Sequence, residues 1–171
     1  MRQFVLFLYY TILQYLPSSF FPLGNLFNSI RVSTLKRVIK IGNNTKIQSH
    51  VYIGNGNNIN IGSCCQINER VKLDNVSISD YVMIAPGVTI LGKMHSFRNI
   101  DTPMILQGEN EVQQTLIEHD VWIGTNAIIM PGLKIAHGCI IGAGAVLTKD
   151  TLPFGIYGGI PARLIKFRNE L

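Results

Sequence analysis

Residues 117–147, IEHDVWIGTNAIIMPGLKIAHGCIIGAGAVL, repeat themselves every six positions. Ile117, Ile123, Ile129, Ile135, Ile141 and Leu147 keep the step unbroken, and four positions after each of the first five stands a second apolar residue: Val121, Ala127, Leu133, Cys139 and Ala145. An α-helix turns every 3.6 residues and cannot hold that register. Short strands joined by corners can. Ile and Leu would fill an interior, the smaller second residues would let walls pass close, and Gly, Asn and Pro would turn the chain. Gly124, Ala136 and Gly142, each just after an Ile, are the expected corner residues. A hexapeptide period is the signature of a β-helix, in which each coil stacks on the one before.

The register reaches back toward the N-terminus. Ile41, Ile47 and Ile53 keep it, GNGNN at 54–58 resets it, Ile61, Ile67 and Leu73 resume, and Ile78, Ile84 and Ile90 form a further set. Their second positions are Thr45, Val51, Asn57, Cys65, Val71, Val82 and Val88, mostly small or β-branched. Between the two blocks of repeats, LGKMHSFRNIDTPMILQGENEVQQT at 91–115 drops the pattern. Long irregular insertions in regular scaffolds usually carry function.

Outside the repeats the chain changes character. FVLFLYYTILQYL at 4–16 is a mostly apolar run of 13 residues behind one cation, Arg2. Spanning a bilayer takes roughly 20 residues, and the following PSSFFP lacks the small-x-small pattern of signal cleavage. A helix packed on the body of the protein or on a neighbouring subunit is expected. The alternative is an interfacial helix giving residues 1–24 a peripheral membrane contact. Leu26, Ile30, Leu35, Val38 and Ile39 then suit an amphipathic helix over 25–40, with Arg31, Lys36, Arg37 and Lys40 as its solvated face. After Leu147, Thr148, Lys149 and Asp150 read as a corner, GGIP as a tight turn and Ala162–Arg168 as a short basic helix. The chain divides into a helical segment 1–40, a β-helix 41–152 interrupted by a loop at 92–115, and a turn with basic helix at 153–171.

Composition bounds the partners. The 171 residues make one domain. With 47% hydrophobic and 15% charged residues, the surface suggests faces buried between subunits. A net charge of +5 favours an anionic partner, yet no aromatic interleaving or reader motif accompanies the cations, so nucleic acid is not favoured. The three cysteines, Cys64, Cys65 and Cys139, have neither CxxC spacing nor a metal-ligand frame. Cys65 and Cys139 fall on the small inward position and read as reduced core residues, which suits a cytoplasmic protein.

The ordered set ISDYVMIAPGVTI, an insert with one His, DVWIGTNAIIMPGLKI, IGAGAVLTKD and GGIPARLIK resembles the hexapeptide-repeat acyltransferases. Among these it is most similar to the maltose, galactoside and capsule- or lipopolysaccharide-modifying O-acetyltransferases. The resemblance covers Ile41 to about Arg168. It implies an all-β fold, a left-handed parallel β-helix of three hexads per coil with short helical segments at both ends, against the usual crossover hand. It implies a homotrimer binding acetyl-CoA between neighbouring prisms, with no metal. The expected activity is transfer of an acetyl group to a sugar hydroxyl, in cell-surface polysaccharide biosynthesis, by a cytoplasmic enzyme that could work at the inner face of the cell membrane. The rivals are an N-acetyltransferase on an amino sugar and a non-catalytic assembly module.

The resemblance also assigns residues. His95 stands where the family carries its catalytic histidine, and an imidazole suits a base working near neutral pH. Asp74, Asp101 and Glu118 are candidates for orienting it. Thr125 takes the place of a serine near the thioester carbonyl, where an oxyanion needs donors, and Asn68 that of an acceptor-binding asparagine. One coil of 18 residues beyond Thr125 lies Ala143. With Gly124 and the neighbouring Trp122, these positions form a ledge for pantetheine, Trp122 serving as wall rather than as a stacking platform. Thr148 and Lys149 follow, and Arg163 and Lys166 match basic positions at the phosphate end, a match that fits the excess positive charge. His119 and His137, also 18 apart, are expected to stack on the surface without a metal. Gly142 and Gly144 lack the third glycine and the strand-helix context of a dinucleotide fingerprint.

Overall fold

The computed structural model describes residues 1–111 and 113–170. The repeats form a three-faced prism of parallel strands, the left-handed β-helix expected. The first face stacks Lys40–Ile41, Asn60–Ile61, Val76–Ile78, Thr115–Ile117 and Lys134–Ile135. The second stacks Lys46–Ile47, Gln66–Ile67, Met83–Ile84, Trp122–Ile123, Ile140–Ile141 and Gly155–Gly158. The third stacks Lys72–Leu73, Thr89–Ile90, Ile128–Ile129 and Val146–Leu147, with Tyr52 bridging to Lys72 beneath.

Strand side chains alternate, so in each two-residue strand one points in and one out. The inward residue is the hexad Ile or Leu: Ile47, Ile67, Ile84, Ile123 and Ile141 stack as one fully buried column. The second apolar positions Val51, Val71, Val82, Val88, Val121, Ala127, Cys139 and Ala145 are equally buried. Cys65 and Cys139 are free thiols in this core, their pKa values pushed up by burial. Asn57 departs from the pattern. It is exposed, and Ile59 turns inward instead, because the extra residues of GNGNN carry Asn57 out into the corner.

The corners correct the sequence reading of the glycines. The left-handed residue comes three positions after the hexad Ile, as at Asn126 (φ 58°) and Gly144 (φ 67°). Gly124 and Gly142 have no positive φ. Gly124 is required by close approach: a Cβ there would lie 2.6 Å from the backbone nitrogen of Ala143 in the next coil. Only glycine lets the two walls touch.

The N-terminal residues close one end. Helix α1, Arg2–Thr11, lays Val5 and Tyr9 on the first coil, and the Tyr9 hydroxyl donates to the Val51 carbonyl at 2.6 Å. Helix α2, Gly24–Leu35, follows, and here the amphipathic reading holds for Leu35, Ile39, Lys36, Arg37 and Lys40 but is corrected at three positions. Arg31, expected on a solvated face, is fully buried, whereas Leu26 and Ile30, expected inside, are 54% and 39% exposed. Arg31 donates to the carbonyls of Leu13, Leu16 and Ile47 at 3.2, 2.6 and 2.7 Å. The Leu16 and Ile47 carbonyls lie just past a 3₁₀ turn and at the end of the first coil, where no next strand exists to meet them, so a side chain with several donors takes that place.

The C-terminal basic helix is also corrected. Residues Arg163–Phe167 form a strand antiparallel to Gly155–Gly158. The last parallel strand exposes an unpaired edge, and pairing RLIKF onto it overrides local helix propensity. Arg168 then clamps the end, donating to Asp120 at 2.8 Å and to the Gly138 carbonyl at 2.9 Å.

Candidate active site

The insert leaves the third face after Ile90 and re-enters the first face at Thr115. Its described residues are braced by hydrogen bonds across the excursion. Ser96 N donates to the Gly108 carbonyl at 3.0 Å and Asn110 N to the Met94 carbonyl at 2.9 Å, which pairs 94–96 antiparallel with 108–110. At the tip, the Gln107 amide donates to the carbonyls of Asn99 and Thr102 at 2.7 and 2.6 Å. His95 sits exposed at the centre of this short ladder, directly opposite Glu109. In an antiparallel pair flanked by hydrogen bonds in this way, the opposed side chains share one face and approach closely.

Glu109 is the residue that sequence reasoning missed. Lys93 donates to its carboxylate at 2.7 Å, and this hydrogen bond, helped by His95 nearby, holds the Glu109 carboxyl below the usual range. The three expected partners of His95 are engaged elsewhere or unplaced. Glu118 accepts from Lys134, the His137 backbone and the His137 ring, Asp74 lies against Gly92, and the Asp101 backbone N–H donates to the Asn99 side chain in the loop. The signal was present in Gly108 and the matching ends of the excursion, but no short-range spacing links positions 95 and 109.

The remaining assigned residues lie on the prism. Trp122↔Ile140 and Ile123↔Ile141 stack in register, which sets Thr125 over Ala143 at the corner between the second and third faces. Gly144 N donates to the Thr125 carbonyl at 2.8 Å. Both Thr125 and Ala143 are exposed, so this corner is a smooth ledge of backbone and small side chains. Trp122 points outward from the second face between Met83 and Ile140, 48% exposed. Asn68 lies two coils below, its amide tied to the wall by donating to the Ile84 carbonyl at 2.9 Å and accepting from Gln66 at 3.0 Å.

Thr148 and Lys149 stand at the other edge of the third face, both exposed. A cleft of about 340 Å³ there is lined by Thr148, Met130, Lys93, Met94 and Asn110, so Thr148 meets the base of the insert. Arg163 and Lys166 lie on the terminal strand. Ala162 N donates to the Val146 carbonyl, which ties that strand's start to the top of the third face. Lys149, Arg163 and Lys166 have no carboxylate partner among the described residues. Within one chain, then, His95 and the ledge at Thr125 and Ala143 stand on different corners. His119 and His137 stack as expected, centroids 5.1 Å apart, and no cluster of three metal-ligating side chains occurs among the described residues.

The model of the family described as Bacterial transferase hexapeptide (six repeats) matches residues 114–149. Galactoside O-acetyltransferase of Escherichia coli K12 is 33% identical over 144 residues, which cover 82% of this chain and 70% of that protein. The chain belongs to the hexapeptide-repeat acetyltransferases. Chloramphenicol acetyltransferase of Morganella morganii is 54% identical over 115 residues, 58% of this chain and 55% of that one, so the chain spans little more than half of this relative. Among solved structures, a hexapeptide-repeat acetyltransferase of Vibrio cholerae complexed with acetyl coenzyme A superposes with a TM-score of 0.81 at 26% identity, covering 97% of this chain and 86% of that one. The agreement extends through the helical end as well as the repeats.

Proposed function

We propose that the protein transfers the acetyl group of acetyl-CoA to a sugar hydroxyl, in the building of a cell-surface polysaccharide, with His95 as general base. The observation that carries this reading is the presentation of His95 on a braced hairpin opposite Glu109, over a prism whose ledge is bare of large side chains. Glu109 is a positioning residue that fixes the imidazole. His95 takes the proton of the acceptor hydroxyl as its oxygen attacks the thioester carbonyl. The Thr125 hydroxyl and nearby backbone amides stabilise the oxyanion. Its collapse breaks the C–S bond, and the leaving thiolate receives the proton from the imidazolium. Gly124, Ala143 and Thr148 would hold the pantetheine, with Trp122 beside it. Lys149, Arg163 and Lys166 would meet the phosphates. Asn68 would contact the acceptor from the side of its amide left free.

Because the insert and the ledge stand on different corners, we assign the site to the groove between copies in a homotrimer. Oxygen rather than nitrogen as the acceptor rests on the relative that acts on galactosides and matches most of its own length. The cytoplasm, where acetyl-CoA and reduced thiols coexist, is the compartment this reading requires.

Calorimetry followed by acceptor screening tests it. Acetyl-CoA should bind wild type and His95→Asn alike and Lys149→Ala more weakly, while His95→Asn should lose roughly 10²–10⁴-fold in kcat on a sugar alcohol. Absence of acetyl-CoA binding would return the chain to the reading of a non-catalytic module. Transfer to amino sugars alone would replace oxygen by nitrogen.

A further inference from the structure

Residues 1–68 contain no aspartate or glutamate. They carry six cations, Arg2, Arg31, Lys36, Arg37, Lys40 and Lys46, whereas residues 69–171 carry nine cations and all ten carboxylates. The first 68 residues therefore hold a charge of +6 and the remainder −1, which together give the +5 of the whole chain. The net positive charge is therefore not concentrated in the terminal strand with Arg163 and Lys166. It belongs to the helical cap and the coil on which the cap sits.

That cap also exposes a concentration of large apolar side chains. On α1, Phe4 and Phe7 are 70% and 65% exposed, on the side away from Val5 and Tyr9, which grip the coil. In the connection, Phe20, Phe21 and Leu23 stand out, and Phe20 packs on Phe21, ring centroids 4.5 Å apart. On α2, Leu26 and Ile30 are a helical turn apart and both exposed. The two helices pack on each other, so these residues belong to one end of the molecule. An exposed apolar patch of this kind marks an interaction site. No helix is long and apolar enough to cross a membrane, and α1 is held to the coil by Tyr9 on Val51, Tyr10 on Gly54 and Arg2 on Asn55. The apolar groups are thus presented on a rigid base, with Lys36, Arg37 and Lys40 exposed just after α2.

We propose that this cap docks on an anionic lipid surface. Exposed aromatic side chains insert at the depth of the headgroups, and exposed cations that form no ion pair among the described residues are drawn to the negative leaflet. Charge decides the partner. A protein partner would need an apolar site rimmed by carboxylates, whereas a bilayer bearing anionic headgroups supplies both features over any area. Docking places the prism axis away from the membrane and the insert above it, where an acceptor carried on a lipid would reach His95.

Vesicle co-sedimentation without acetyl-CoA or acceptor tests the docking independently of acetyl transfer. Wild type should bind vesicles of mixed phosphatidylglycerol and phosphatidylcholine, bind pure phosphatidylcholine far less, and be released by salt. Phe4→Ser/Phe7→Ser and Phe20→Ser/Phe21→Ser should each weaken binding by roughly tenfold or more. Lys36→Ala/Arg37→Ala should weaken it by roughly tenfold on anionic vesicles only. These positions are exposed, and unchanged thermal midpoints would show that the variants fold. Ile100→Ser/Ile105→Ser, exposed in the insert, should bind as wild type does. Failure to bind anionic vesicles, binding that the cap variants leave unchanged, or loss in those variants of a self-associated species would overturn the proposal. The last outcome would make the cap an interface between copies of this chain.

Discussion

Gly124 and Gly142 follow a hexad Ile for a reason different from that of Gly144, which turns the corner. Substituting Ala at 124 drives a methyl group into the backbone of the next coil, 2.6 Å from Ala143 N, and a backbone ladder cannot yield. At Gly144 nothing lies within 4 Å of an added Cβ, and only its φ of 67° is strained. Gly124→Ala should therefore cost about 2–3 kcal/mol and Gly144→Ala about 1 kcal/mol in denaturant unfolding, and the opposite order would refute this account of the wall. Glu118 offers a test by pH. Hydrogen bonds from Lys134 first, then from the His137 backbone and ring, bring its pKa from 4.5 to about 2. The folded state binds this proton less readily than the unfolded chain. The pair's contribution is therefore complete above about pH 4.5 and disappears as pH falls toward 2. Thermal midpoints of wild type and Glu118→Gln should converge across that window, and a gap constant with pH would exclude the pairing. At Glu109 the expectation is kinetic. Glu109→Gln should lower kcat by roughly tenfold, less than the loss of the base itself, with the acetyl-CoA KM unchanged, because it acts through His95 rather than on the cofactor.

Elements at the two ends of the prism were the least legible in the sequence. Helix α2 has a plausible apolar stripe at Leu26, Ile30 and Leu35, yet the stripe that packs includes Arg31. The coil end presents carbonyls rather than apolar side chains, and burial lowers the pKa of Arg31, an effect that Tyr9 and the Glu69 carboxylate offset only in part. Arg31→Met keeps most of the volume and removes every donor. It should destabilise the fold by about 3 kcal/mol by leaving the Leu16 and Ile47 carbonyls unpaired, measured by urea titration. A neutral effect would mean that water replaces the guanidinium. The terminal RLIKF strand went unread for the complementary reason. Its pairing partner Gly155–Gly158 acquires an open edge only when the parallel ladder ends there, which no local window contains. By contrast, the hexad strands were readable to the residue, since each inward Ile is set by a strict period.

At the scale of the whole molecule, the prism leaves a column of apolar residues pointing outward on the second face: Met83, Trp122, Ile140 and Ile156 in register. If copies pack through such a face, folding stability depends on protein concentration. Sedimentation should give three chains per particle, and the thermal midpoint should rise with concentration. A stable monomer with a fixed midpoint would remove the shared site. The sequence by itself determined the β-helix, its interruption and the place of His95, because a six-residue period is satisfied by one kind of coil and any departure from it is visible at once. Tertiary structure alone decided that Glu109 faces His95, that Arg31 closes the cap and that the terminal segment is a strand. It also decided that the assigned residues fall on different corners. Each of these depends on which groups a finished coil leaves unpaired, and that exists only after distant parts of the chain have stacked.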